Sequence, residues 1–234
     1  MYTLEDMNLP YSSLDIYNSI CTKIISNELA PGTKISEKTL CDEFRVSRSV
    51  VRTAVARLQQ IHLLRVFPQR GIQVALLDID LTYNATKIRH AIEREAVYFM
   101  FKNTLSDKLL NDLKVMLCEM KKLLKTPSKE SVAKFKSTNA VYHLRIIQEV
   151  FSAKSLSLIY EVRIHMARWS NIDVSLLSVI DTLYKYNEAI YEAMASRHLQ
   201  DALSAIHEHY ECFVGNMHKV KENYPEYFST EQDY

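Results

Sequence analysis

The chain has 234 residues and a formal net charge of +1, with 47% apolar and 24% charged residues but only three glycines and five prolines. So little turn chemistry over this length argues against a sheet-rich fold and predicts long helices, in one large domain or two ordinary ones. No apolar run approaches the ~20 residues of a membrane span and no charged-then-apolar leader opens the chain, so the sequence predicts a cytoplasmic protein without a membrane partner. The four cysteines (Cys21, Cys41, Cys118, Cys212) include no CxxC pair, and they predict packing thiols rather than a disulfide framework or a zinc knuckle.

Residues 12–29 begin with Ser12-Ser13 and then place Ile16, Ile20 and Ile24 four apart, an amphipathic helix with a serine cap that ends at the Pro31-Gly32 turn. Ser36-Glu37-Lys38 opens a second, short helix with Leu40 and Phe44 inward. A third starts at Ser47, whose side chain is expected to accept from the free amides of the first turn. Its stripe of Val51, Ala54, Val55 and Leu58 is buried, with Arg48, Ser49, Arg52 and Thr53 opposite. Leu64–Phe67 and Ile72–Ala75 alternate around Pro68-Gln69-Arg70-Gly71 and predict a hairpin. Three helices followed by a hairpin is the order of a winged helix-turn-helix, whose third helix enters the major groove of duplex DNA.

Charge supports that reading. From Phe44 to Leu77 there are six arginines and no carboxylate. Through Leu77 the chain carries nine Lys/Arg against seven Asp/Glu, whereas the remainder carries 20 against 21. Only the first part has an electrostatic reason to seek a polyanion. Arg48 and Arg52, four apart, share a helical face, and a guanidinium can grip guanine O6 and N7 or a phosphate with two bonds. Ser47 and Ser49 are short donors suited to phosphates at a helix N-terminus.

Past Leu77 and a short linker, Asp78-Ile79-Asp80-Leu81, everything reads as helical. Ser106-Asp107 caps a run with Leu109, Leu113, Met116, Leu117, Met120 and Leu124 at three- and four-residue spacing; Thr126-Pro127-Ser128 ends it and caps the next. Similar periodicity fills 131–150, 154–169, 174–195 and 198–223, and the last ten residues read as a frayed tail. The fold class is therefore mainly α. Residues 1–77 are expected to form a winged helix-turn-helix DNA-binding domain, and 78–234 an all-helical bundle.

Three segments, Leu29-Ala-Pro-Gly-Thr-Lys-Ile-Ser-Glu through Leu40, Val46-Ser-Arg-Ser-Val-Val-Arg52, and Arg70-Gly71-Ile-Gln-Val74, resemble the GntR family of bacterial transcription regulators. The helical remainder is similar to the FCD effector-binding domain of the FadR subfamily. The resemblance implies DNA contacts from Lys38, Ser47, Arg48, Ser49 and Arg52 on the second and third helices, and from Arg70 and Gly71 on the wing. Arg45 stands where the family tends to have glycine and adds to the basic surface, Val50 replaces a frequent proline, Thr53 a frequent glutamate, and His62 a frequent glycine.

FCD domains often hold a divalent metal such as Zn or Ni with one Asp and three His. The corresponding positions here are Asn139, His143, Asn187 and His209, so two of four ligands are asparagine. A neutral amide oxygen is a much weaker donor than imidazole and supplies no charge. Two readings follow: a weakened metal site, or a polar pocket in which these four residues bond an effector or one another. Arg89, matching a family arginine, suits a carboxylate effector or an ion pair with Glu93. Arg163 and Arg168 raise the same question, and His165 and Trp169 are core or pocket lining.

The resemblance thus implies a dimeric, ligand-responsive regulator, most often a repressor, binding a twofold-symmetric double-stranded DNA operator, with a small-molecule effector, a small carboxylic acid in the first instance. A constitutive DNA-binding protein without an effector is the alternative. A metal-dependent enzyme is a third reading, disfavoured because the set offers no obvious carboxylate base and the chain has no GxSxG, HExxH or glycine-rich phosphate loop.

Overall fold

The structure, a computed structural model, describes residues 11–126, 128–172 and 177–229. It divides into two compact units. One holds the described residues through Ile79 together with Tyr224–Ser229, and the other holds Asp80–Asn223.

The first unit opens with α1 (Ser13–Ile25). Ser12 accepts from the Asp15 amide, and the Asp15 carboxylate accepts from the Ser12 amide, a complete capping box. The helix stops short of Pro31-Gly32, with Asn27 at a left-handed φ of 63° just past its end. Next come α2 (Glu37–Phe44) and α3 (Arg48–Gln60), packed on α1 through Ile16, Ile20, Leu40, Phe44, Val51, Val55 and Leu58, all buried. The expected hairpin is β2 (Leu64–Phe67) and β3 (Gly71–Val74). Too short to show in the sequence, β1 (Lys34–Ile35) adds an antiparallel third strand in the order β1-β3-β2. Gly71, at φ 97° where the hairpin closes, would bring a Cβ to 3.4 Å from the Ile35 carbonyl oxygen, so the turn itself calls for glycine there.

Scarce glycine leaves its mark on helix ends. Arg45 (φ 52°), His62 (φ 59°) and Arg197 (φ 59°) all take the left-handed position that closes a helix. In each case the next amide reaches back five residues, as in Val46 to Cys41, Leu63 to Leu58 and His198 to Ala193. Arg45 and His62 are the positions where the resembled family tends to have glycine. The chain keeps the backbone motif and bears the Cβ strain.

The second unit contains α4 (Ile79–Lys102), α5 (Asp107–Lys125), α6 (Lys129–Gln148), α7 (Ala153–Leu156), α8 (Tyr160–Ile172), α9 (Leu177–Ala195) and α10 (Leu199–Asn223). Ile79 itself falls on the other side of the boundary between the units. Ser106 and Ser128 cap α5 and α6 as expected. The single helix expected over 154–169 is instead α7, a 3-10 turn at Ser157–Ile159, and α8. Serines cause the break: Ser155 donates its amide to Ser152, and the Ser157 hydroxyl bonds the Lys154 carbonyl. The core joins α4, α5, α6, α9 and α10 through Val97, Leu113, Phe135, Tyr142, Ile190 and Ile206. Among the described residues no helix is long and apolar enough to cross a membrane.

The expected frayed tail is corrected over 225–229, while 230–234 lie outside the described residues. After α10, Pro225–Tyr227 make a 3-10 turn and Phe228 pairs in parallel with Leu77. The Leu77 amide donates to the Tyr227 carbonyl at 2.8 Å, and the Ser229 amide to the Leu77 carbonyl at 2.9 Å. Phe228 is only 3% exposed. A bundle domain running from 78 to the C-terminus was expected; six residues beyond α10 instead return to the first unit.

Two stability changes follow. Phe228→Ala empties a buried aromatic site and should lower the unfolding free energy by about 3 kcal/mol. His62→Gly removes left-handed strain of about 1–2 kcal/mol, offset by about 0.4–1 kcal/mol of unfolded-chain entropy, and should stabilise by up to about 1 kcal/mol. Urea unfolding of the full chain reads both, and a neutral His62→Gly would show that the Cβ strain is already relieved.

Candidate nucleic-acid interface and buried polar cluster

On the first unit, the outward side of α3 and its approach present Arg45, Ser47, Arg48, Ser49, Arg52 and Thr53, all exposed, with Lys38 exposed on α2. Ser47 takes the N-cap position with extended backbone, yet its hydroxyl makes no capping bond; it pairs with the Ser49 hydroxyl at 2.8 Å. That corrects the expected serine cap. It also leaves amides at the helix start without a side-chain partner, at the positive end of the helix dipole.

The arginines differ in their surroundings. Arg57 lies over the Tyr17 ring, 4.7 Å from its centroid, and so serves α1–α3 packing. Arg52 donates from Nε to both oxygens of Glu37, at 3.0 and 3.1 Å. The sequence reading, which saw no carboxylate between Phe44 and Leu77, missed that Glu37 arrives from the preceding helix. Arg45, Arg48 and Arg70 are exposed and meet no carboxylate among the described residues. Arg70 stands in the tight turn that closes the wing, its amide bonded to Phe67.

The second unit buries a polar cluster. Glu93 on α4 and His143 on α6 are each 1% exposed, and His209 on α10 is 3% exposed. The His143 Nδ1–H donates to Glu93 Oε1 at 2.6 Å, while Arg89 Nε stands 3.9 Å from Glu93 Oε2. Burial works to raise the Glu93 pKa, but His143 and Arg89 outweigh it, so the carboxyl is held below its ordinary range and ionised. Burial pushes the His143 pKa down against the pull of Glu93. Burial and the neighbouring His143 push His209 further down, so both rings are neutral at pH 7. His143 and His209 stack at 4.6 Å between centroids, with planes 9° apart. The Asn187 side-chain amide on α9 donates to Asn139 Oδ1 on α6 at 2.7 Å, and the Asn187 backbone carbonyl accepts from the Tyr142 hydroxyl at 2.9 Å. Among the described residues, His143 Nε2, His209 Nε2, Asn187 Oδ1 and Arg89 Nε are buried without a hydrogen-bond partner.

So Arg89, His143 and His209 gather with Glu93, which bonds His143 and faces Arg89, while Asn139 and Asn187 bond to each other beside Tyr142. Their arrangement does not fit a shared metal ion. A ligating imidazole points its lone pair in the ring plane, and two nearly parallel stacked planes do not meet at one point. Asn139 Oδ1 is already used by Asn187. Among the described residues no three His, Cys, Asp or Glu side chains gather as metal ligands.

Residues 12–74 match the gntR family of bacterial regulatory proteins, and residues 84–211 match the FCD domain. The chain belongs to the GntR family of regulators with an FCD domain. That family consists of transcription regulators, not enzymes. Among relatives of this GntR regulator, the transcriptional repressor RspR of Escherichia coli K12 is 38% identical over 78 residues, 33% of this chain and 34% of that protein. The transcriptional regulator YdfH of Escherichia coli O6:H1 is 37% identical over 84 residues, 36% of this chain and 37% of that protein. The chain thus spans about a third of the length of the relatives it matches. By structure, Escherichia coli McbR/YncC is similar with a TM-score of 0.68 at 18% identity, covering 96% of this chain and all of that one. A GntR transcriptional regulator from Rhodococcus sp. RHA1 gives 0.72 at 17% identity, covering 88% and 97%. At such identity these neighbours speak for the fold.

Glu93 was the member of the buried cluster least visible in the regulator's sequence, where it read only as a possible surface partner for Arg89. The available signal was its register: Thr82, Thr86, Glu93, Ala96, Val97 and Met100 are the buried stripe of α4, and a carboxylate within such a stripe calls for a buried partner. His165, Arg168 and Trp169 are buried on α8.

The cluster sets a pH dependence. Two neutral buried histidines bind fewer protons than in the unfolded chain once the pH drops below about 6.5, so stability should fall as pH drops, by up to about 1.4 kcal/mol per pH unit for each. Glu93 acts in the same direction at lower pH, because its folded pKa is depressed. Urea midpoints from pH 7.5 to 5 should decline in the regulator and decline less in His209→Gln; parallel curves would remove His209 from the account.

Proposed function

We propose that this GntR regulator is a cytoplasmic, ligand-responsive transcription repressor that binds a twofold-symmetric DNA operator as a dimer. The observation that carries the DNA half is the exposed row Arg45, Arg48, Ser49 and Arg52 at the start of α3, on a three-helix unit with a wing that ends in Arg70. Such a row suits phosphates and guanine edges in the major groove, with the wing reaching the backbone alongside. A dimer would present two such helices, and its symmetry demands two half-sites. The repressor reading is supported by the relative RspR.

The effector reading rests on the cluster around Arg89. Its Nε is buried, lacks a hydrogen-bond partner and stands 3.9 Å from Glu93, too far for a bonded pair. A small carboxylic acid could complete that guanidinium, and a hydroxyl or N–H carried by the same acid would donate to the acceptors Asn187 Oδ1 and His143 Nε2. Asn139, His143, Asn187 and His209 act here as effector contacts without a metal.

Fluorescence anisotropy on a duplex selected by the protein from a random pool tests the first half. Arg48→Ala should weaken binding by about 1–3 kcal/mol, and wild-type affinity should fall steeply with salt. A flat salt response would count against phosphate contacts by this arginine set. For the effector, thermal-shift screening against small mono- and dicarboxylic acids should find a stabilising ligand whose shift is lost in Arg89→Gln. A shift that survives that substitution would move the acid to another site.

A further inference from the structure

We propose that Glu37 is a positioning residue for DNA recognition, holding Arg52 by one edge of its guanidinium so that the other edge meets the DNA in a fixed orientation. This rests on the reading of α3 as the recognition helix.

The geometry is specific. Both Glu37 oxygens converge on Arg52 Nε, at 3.0 and 3.1 Å, and the Nη atoms engage no acceptor among the described residues. The Arg52 side chain remains 66% exposed even while held. Glu37 is the first residue of α2, beside the cap in which Ser36 accepts from the Thr39 amide, where a carboxylate is favoured by the helix dipole. Leu40 and Phe44 fix α2, and Val51 and Val55 fix α3, in the same core. Both ends of the ion pair therefore spring from rigid backbone.

Charge makes the placement informative. Glu37 is a carboxylate adjoining a surface that otherwise presents Lys38, Arg45, Arg48 and Ser49 to a polyanion, and for affinity alone it is adverse. An exposed ion pair adds little to stability, so folding does not account for it. An unheld arginine swings to any phosphate within reach. An arginine held at Nε presents its Nη pair in a set direction, which favours one arrangement of acceptors over others. Glu37 thus gives up general affinity for sequence selectivity.

The test is a double-mutant cycle with wild type, Glu37→Gln, Arg52→Ala and the double variant, read by anisotropy on two duplexes. One is the sequence selected by the wild-type protein, and the other is its scramble of equal length and composition. Circular dichroism melts confirm that each variant folds. Glu37→Gln should bind the selected duplex about tenfold more weakly and the scramble more tightly, and its loss on the selected duplex should vanish when Arg52 is already alanine. Tighter binding to both duplexes alike would overturn the proposal, leaving Glu37 as a simple repulsive charge. So would an undiminished Glu37→Gln effect in the Arg52→Ala background. If Arg52→Ala alone leaves the selected duplex unaffected, the positioning role falls with it, while a loss in Arg48→Ala still upholds DNA binding by α3.

Discussion

A carboxylate in the middle of a helical bundle has few ways to remain charged, and the helical unit is arranged around one of them. Glu93 accepts from His143 on one oxygen and faces Arg89 with the other. Because Glu93 is ionised, His143 must carry its proton on Nδ1, which leaves Nε2 as a bare acceptor inside the bundle. His143 in turn stacks on His209, so α4, α6 and α10 are tied through one ion and two rings. Removing Glu93 would free the His143 tautomer and strand a buried arginine. The outlay on burying these groups is large, and a well-packed apolar set of the same volume would hold the helices at least as well. What the polar set adds is a place where buried atoms still lack partners.

The winged unit solves the opposite problem. Its charges are exposed, and order there comes from where the backbone is pinned. Left-handed closures at Arg45 and His62 set the ends of α2 and α3, and the strand at Lys34–Ile35 ties the loop before α2 to the wing. The price of using arginine and histidine there is Cβ strain, and at Arg45 the return is one more cation on the approach to α3. Of the six arginines in the run, Arg57 packs on Tyr17 and Arg52 pairs with Glu37. Counting charges along the sequence therefore overstates how much positive surface is free, while correctly locating where that surface is.

What was legible in the sequence was what repeats at helical or strand period. The stripes of α1, α3 and α5, the serine caps at Ser12, Ser106 and Ser128, and the wing around Gly71 are local patterns. The exposed face of α3 followed from its buried one. What escaped depends on partners far apart in the chain: the bridge of Phe228 to Leu77, the reach of Glu37 to Arg52 across 15 residues, and the pairing of Glu93 with His143 across 50. The Ser47 cap failed for a subtler reason. A serine two residues on offered a competing partner, and a propensity rule does not weigh one hydroxyl against another. The substitutions Asn139 and Asn187 were visible from the start, but only the fold shows the two amides bonded to each other, with Asn139 Oδ1 taken up in that bond.

The threading of the chain joins the two ends of the bundle. The helix that carries Arg89 and Glu93 starts at Ile79, and the helix that carries His209 ends at Asn223. The residues just outside those ends, Leu77 and Tyr227, are hydrogen-bonded to each other within the winged unit. The bundle is therefore a loop of chain whose entry and exit are fastened together. Thermodynamics sets a condition on any ligand. A ligand moves an equilibrium only by the difference between its affinities for the two states, however tightly it binds either. The atoms best placed to generate such a difference are those left unsatisfied, because a partner that reaches them only in one arrangement of α4, α6 and α10 is bound tightly in that arrangement and weakly in any other.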